Sequence, residues 1–100
     1  MDYKISREAQ NDMEHIWLYT LKTWSAKQAD LYYNLLIDAI EDLAQNPSQG
    51  IDYNRVREGY YKAKMKSHFI FYRIKEDENC IEIIRILHQR MDIDTHLRSE

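Results

Sequence analysis

Residues Tyr60–Leu87 read YYKAKMKSHFIFYRIKEDENCIEIIRIL, and the fold follows from how this stretch is parsed. In its first part Tyr61, Ala63 and Met65 alternate with Tyr60, Lys62, Lys64 and Lys66. Alternation at period two puts the two sets on opposite faces of a strand, one of them wet, as antiparallel sheets allow. HFIFYRI is apolar on both faces, like a central strand. KEDEN is a polar turn, and CIEIIRIL is a third long strand, largely buried. Breaks this short join neighbours, so the three strands form an antiparallel meander.

Upstream the period changes. Ala9, Met13, Ile16, Trp17, Leu21 and Trp24 recur at helical spacing, with Gln10, Asn11, Asp12, Glu14 and Lys22 outside. Ser6 is the N-cap and Glu8 sits in the first turn, where the helix dipole favours a negative charge. This predicts a helix over 7–23, with Trp17 buried and Tyr19 and Trp24 partly exposed. SAKQ, from Ser25 to Gln28, matches a capping box. Behind it Ala29, Tyr32, Tyr33, Leu36, Ile37, Ile40, Leu43 and Ala44 form a second stripe, stopped by Pro47 and the turn residue Gly50. A link of a residue or two makes the pair an antiparallel helical hairpin. Tyr3–Ile5 adds a short first strand, and residues 89–100 form a polar tail or short helix with Met91, Ile93 and Leu97 as anchors. The order is β-α-α-β-β-β, an α+β fold of one domain over residues 1–100, with the hairpin packed on one face of the sheet.

Bulk properties exclude several classes. One hundred residues suit one domain with a modest core. No apolar run is long enough to span a membrane. The start MDYKISREA lacks the layout of a signal peptide, and the single cysteine, Cys80, allows no internal disulfide, so the cytoplasm is the expected location. His15, His68, His88 and His96 contain no i, i+4 pair, so no metal is expected. The net charge of −3 conceals an asymmetry: residues 55–75 carry seven Lys/Arg against Glu58 alone, within an otherwise acidic chain. Such a block suits an acidic partner. Lysines on an edge strand, where they deter aggregation, explain Lys62, Lys64 and Lys66 equally well.

No catalytic motif is present. The two glycines, Gly50 and Gly59, build neither a P-loop nor a dinucleotide fingerprint. Cys80 follows an acidic turn, which disfavours a thiolate. RNA cleavage would need a base, an acid and cations around the phosphate. His68, His88, Arg73, Arg85 and Arg90 supply those types, but alternation sends Arg85 and Leu87 one way and Ile86 and His88 the other. The structural alternative pairs Arg85 with Glu82, Glu58 or a backbone carbonyl, and gives His88 a hydrogen bond at a strand end.

These residues carry a resemblance. AxxDMxxIWxY (Ala9 to Tyr19), Asn46-Pro47, RxGY (Arg57 to Tyr60), FYRI (Phe71 to Ile74) and RILHQRMD (Arg85 to Asp92) are similar to the ParE toxins of the RelE/ParE superfamily, over Tyr3 to about Leu97. The resemblance implies a toxin of a type II toxin–antitoxin system that poisons DNA gyrase by binding, without a catalytic residue, metal or cofactor. It also implies neutralisation by a ParD-like antitoxin in a hetero-oligomer. Direct sequence-specific nucleic-acid binding by this chain alone and a membrane role are not expected. The RelE branch, whose members cut messenger RNA on the ribosome, places an arginine early in the third strand and a Tyr or His shortly after the last. Here the first position holds Phe69 and no tyrosine follows His88, while His88 and Arg90 remain, so the nuclease is the alternative reading. A non-toxic interaction module of the same fold is the third. Candidate toxicity positions are Arg57, Arg73, Arg85, His88, Arg90 and Leu97. Candidate antitoxin contacts are Trp17, Tyr19, Trp24, Tyr32 and Tyr33 on the helices, and Lys62, Lys64 and Lys66.

Overall fold

The computed structural model describes residues 1–98. In chain order these form β1 (Asp2–Ile5), α1 (Arg7–Thr23), α2 (Ala26–Gln45), β2 (Ile51–Asp52), β3 (Tyr60–Met65), β4 (His68–Lys75), β5 (Cys80–His88) and α3 (Ile93–Arg98). Strands β3, β4 and β5 make the expected antiparallel meander. It is the centre of a five-stranded sheet in the order β1-β5-β4-β3-β2. β1 runs parallel to β5 at one edge. At the other edge β2 pairs Ile51 with Lys62 and Asp52 with Tyr61. Two residues cannot display a period, which is why the sequence pattern hides β2.

The helix starts behave as their caps dictate. Ser6 Oγ accepts from the Ala9 N–H at 3.0 Å, and its own hydroxyl donates to the Ile84 carbonyl at 2.8 Å. The cap thereby pins the start of α1 to β5. Ser25 Oγ accepts from the Gln28 N–H at 3.1 Å, and α2 turns back along α1.

The sheet has a core on each face. Ala9, Met13, Leu36, Ile40, Ile70, Tyr72, Ile81, Ile83 and Ile86 pack between the sheet and the helical hairpin. Phe71, Ile84 and Leu87 face the other way and pack with Tyr53, Val56, Tyr60 and Leu97. The expected wet face of β3 is therefore covered at Tyr60 and stays open at Lys64. Tyr60 is buried under the 53–59 loop and α3, whose apolar residues are too few and too scattered to announce a core. Trp17, expected inside, is only half-buried, because its indole Nε1–H donates to Asp30 at 2.9 Å at the outer edge of the hairpin.

Gly50 is required by a close approach. Its N–H donates to the Tyr72 hydroxyl at 3.0 Å, and that hydroxyl donates to the Pro47 carbonyl at 2.7 Å. A Cβ on Gly50 would lie 2.2 Å from the Tyr72 oxygen. Burial raises the Tyr72 phenol above its ordinary pKa, so it stays a neutral donor.

Candidate functional site

β5 outruns its neighbour. β1 pairs with it only as far as Ile5 against Ile83, and the Ser6 N–H adds one more bond to the Ile83 carbonyl at 2.9 Å. Past that point an outer edge of β5 faces α1 instead of a strand. Buried backbone donors must find partners, and Asp12 supplies one. Its carboxylate accepts from the Ile86 N–H at 2.9 Å, and from Arg85 Nε at 2.8 Å and Nη2 at 3.0 Å. The partner of Arg85 is thus Asp12, neither Glu82 nor Glu58. The register of β4 against β5 shifts between Phe71 and Tyr72. Beyond this irregularity the Arg85 guanidinium lies with the helix layer, away from Leu87. Strict alternation misassigned it because a bulge interrupts the period. Asp12 is accordingly half-buried rather than on the outer helix surface.

The same corner opens into a groove of about 700 Å³ between the second half of α1, the start of α2 and the ends of β4 and β5. Ile16, Tyr19, Trp24, Tyr32, Ile86 and Met91 form its apolar walls, and His68 and His88 lie at its sheet end. Trp24 is 74% exposed, Tyr19 67% and Met91 46%. Such exposure of large apolar side chains along one cleft marks a contact surface.

The histidines are held in defined states. The Tyr32 hydroxyl lies 2.7 Å from His68 Nδ1. A neutral phenol is a stronger acid than a neutral imidazole N–H, so the hydroxyl donates and the ring nitrogen accepts. His88 Nδ1 accepts from the Arg90 N–H at 3.1 Å, the structural hydrogen bond expected at the strand end. Both rings therefore carry the proton on Nε2 when neutral. They meet edge to face with centroids 5.1 Å apart. Burial, reinforced by His88 and only partly opposed by Asp12, lowers the His68 pKa to about 4. His68 is neutral at physiological pH.

The other candidate residues lie elsewhere. Trp17 and Tyr33 line a second hollow of about 720 Å³ beyond α1, with Ile5, Met13 and Asp30. Arg57, Arg73 and Lys62 belong to the opposite face of the sheet. Arg73 pairs with Glu82 at 3.2 Å across strands, and Arg57 stacks on the Tyr60 ring. The Lys62 ammonium sits 4.6 Å from the Phe69 ring centre and 4.8 Å from that of Tyr53. Lys64, Lys66 and Arg90 are exposed. Leu97 is fully buried, so it packs α3 onto the second core and is no contact residue. The toxicity candidates thus do not converge. Arg85 and His88 lie on the helix side, Arg57, Arg73 and Leu97 on the other, because strand faces alternate.

Sequence puts Asp12 on the outer side of α1 and reads Met91 as an anchor of the tail, and points to neither as part of a groove. Asp12 stands 73 positions from Arg85, a separation that no local pattern bridges. Only its neighbour Met13, a core residue, hinted that this part of α1 lies low. Among the described residues no group of three or more His, Cys, Asp or Glu could hold a metal ion, and no helix is long and apolar enough to cross a membrane. Chemically the groove offers apolar area and imidazole nitrogens, while its lining carboxylate, Asp12, is already paired with Arg85.

A family model described as the ParE toxin of the type II toxin–antitoxin system parDE matches residues 3–93. A protein named Toxin ParE1 from Mycobacterium tuberculosis is 41% identical over 95 residues, 95% of this chain and 96% of that one. Toxin ParE1 of Caulobacter vibrioides is 38% identical over the same shares. In fold the chain resembles a protein of the chromosomal ParDE toxin–antitoxin system from P. aeruginosa, with a TM-score of 0.76, 20% identity and coverage of 88% of this chain and 95% of that one. It also resembles a chain of the RelBE2 toxin–antitoxin complex from Mycobacterium tuberculosis, with a TM-score of 0.63, 18% identity and coverage of 90% and 92%.

Proposed function

The chain belongs to the ParE toxin family of type II toxin–antitoxin systems, and on that premise we propose that it acts in the cytoplasm as a single-domain poison of DNA gyrase. It works by binding, not by catalysis, and a cognate ParD-like antitoxin silences it in a hetero-oligomer. The observation that carries this reading is the state of the groove's polar groups. Arg85 is bound by Asp12, His68 is neutral and tied to Tyr32, and His88 is tied to the Arg90 backbone. A ribonuclease needs an available base, an acid and cations facing the phosphate. Arg85 is already paired with Asp12, the exposed Lys66 and Arg90 side chains are not part of the groove lining, and the early β4 position holds Phe69. A poison needs only a surface that favours one state of its target.

The antitoxin's place in this reading is the groove beside Tyr19, Trp24 and Tyr32, where an amphipathic segment can bury its apolar side. The cationic opposite face, with Arg57, Arg73, Lys62 and Lys64, is left for the target or for an acidic stretch of the antitoxin. Antitoxin-free protein is incubated with gyrase, ATP and supercoiled plasmid, then treated with detergent and protease. Accumulation of linear, protein-linked DNA is expected. A folded, antitoxin-competent sample that leaves gyrase unaffected while cutting messenger RNA on translating ribosomes would replace this reading with the nuclease.

A further inference from the structure

The sheet end of the groove differs from its walls. The β3–β4 turn at Lys66 and Ser67 is stitched to the end of β5 by the Gln89 N–H, which donates to the Ser67 carbonyl at 2.9 Å. This brings together His68, His88, Lys66 and Arg90. Both imidazoles use Nδ1 internally, so each presents Nε2 as its remaining hydrogen-bonding atom. Among the described residues neither Lys66 nor Arg90 has an acidic partner, although both are exposed. The nearest carboxylate, Asp12, is saturated by Arg85 and the Ile86 N–H.

We propose that this corner is a carboxylate-reading subsite: the segment that fills the apolar groove sets an Asp or Glu side chain on the Nε2 side of His68 and His88, between Lys66 and Arg90. The proposal rests on the groove being the antitoxin's seat. Charge complementarity selects this occupant. An entirely apolar segment would leave two imidazole donors buried without acceptors, at a cost. A basic segment would meet Lys66 and Arg90. A carboxylate satisfies the donors and both cations at once, and charge-assisted hydrogen bonds are the stronger kind.

Asp12 and His15 from α1 and Tyr32 from α2 line the groove beside the imidazole pair, while Lys66 and Arg90 stand two residues from His68 and His88 on the adjoining backbone. The incoming carboxylate brings the unpaired negative charge, and it accepts from the imidazole N–H groups.

The test is calorimetry of toxin with its cognate antitoxin at pH 7. His88→Phe keeps a ring against His68 and makes the groove more apolar. It should weaken binding about tenfold or more if the donor reads a carboxylate, whereas unchanged or tighter binding refutes it. Lys66→Ala with Arg90→Ala, both exposed and safe for folding, should weaken binding several-fold at low salt and less at high salt; no loss counts against the subsite. Trp24→Ala separates the premise. If it weakens binding while the corner variants do not, the antitoxin uses the groove without this subsite. If it has no effect, the groove reading itself fails and the proposal goes with it.

Discussion

The two faces of the sheet solve the same burial problem differently. On one face the helical hairpin covers most of the sheet and stops short, so that a groove opens where α1 leaves the end of β5. There Asp12 is spent on Arg85 and Tyr32 on His68, and the exposed walls are apolar, with Tyr19, Trp24 and Met91. On the other face a loop and the six-residue α3 close a small core around Phe71 and Leu97 completely. What reaches solvent beside it is cationic: Arg57 on Tyr60, Lys62 on Tyr53 and Phe69, and Arg73 beside Glu82. A face left partly open by large elements offers apolar area for a helix. A face sealed by small ones offers charge.

This contrast can be broken at its hinge. Gly50→Ala drives a methyl into the Tyr72 hydroxyl and should cost about 3 kcal/mol from overpacking and lost hydrogen bonds. Thermal unfolding should fall by ten degrees or more, roughly in proportion. A shift within two degrees would mean the 47–50 turn moves freely. Leu97→Ala should cost about 2–3 kcal/mol by opening a cavity in the second core. Hydrogen exchange is expected to speed up across α3 and residues 53–60 while α1 and α2 stay protected; uniform loss would show the two cores to be one cooperative unit. Asp12→Ala strips the Ile86 N–H and Arg85 of their acceptor and should cost about 2 kcal/mol, measured by urea titration.

The pH dependence of the groove side has a definite sign. His68 has a folded pKa of about 4, below its ordinary value of 6.5. The unfolded chain therefore binds the proton first. The associated stability is complete above pH 6.5 and is lost as the pH falls from 6.5 to 4. With partial solvent access the loss is about 1–2 kcal/mol. His68→Gln should flatten the drop in the urea midpoint between pH 7 and 5, and an equal drop in both proteins would assign it to other groups. The smallest effect concerns Lys66, a non-glycine residue at φ 54° in the β3–β4 turn. Lys66→Gly should gain about 0.5 kcal/mol by relieving the left-handed conformation. A loss would mean that the lysine side chain stabilises the turn.

Periodicity alone was enough to read the helical hairpin, the meander and the caps at Ser6 and Ser25, since these depend on residues three or four apart, or on simple alternation. The RILHQRMD segment likewise pointed to the family, and the exposure of Tyr19 and Trp24 followed from their places at the edge and tip of a stripe. What lay beyond local pattern needed the chain folded. The two-residue β2 is too short for a period. Leu97 enters a core built from a loop. Trp17 is held outward by Asp30, across the hairpin. A bulge turns Arg85 towards Asp12, far away in sequence. Sequence by itself determined which elements form and which way their apolar sides face, because those choices rest on short-range chemistry. Tertiary structure decided which charges are spent and which remain for a partner, because pairing depends on distances that only packing sets.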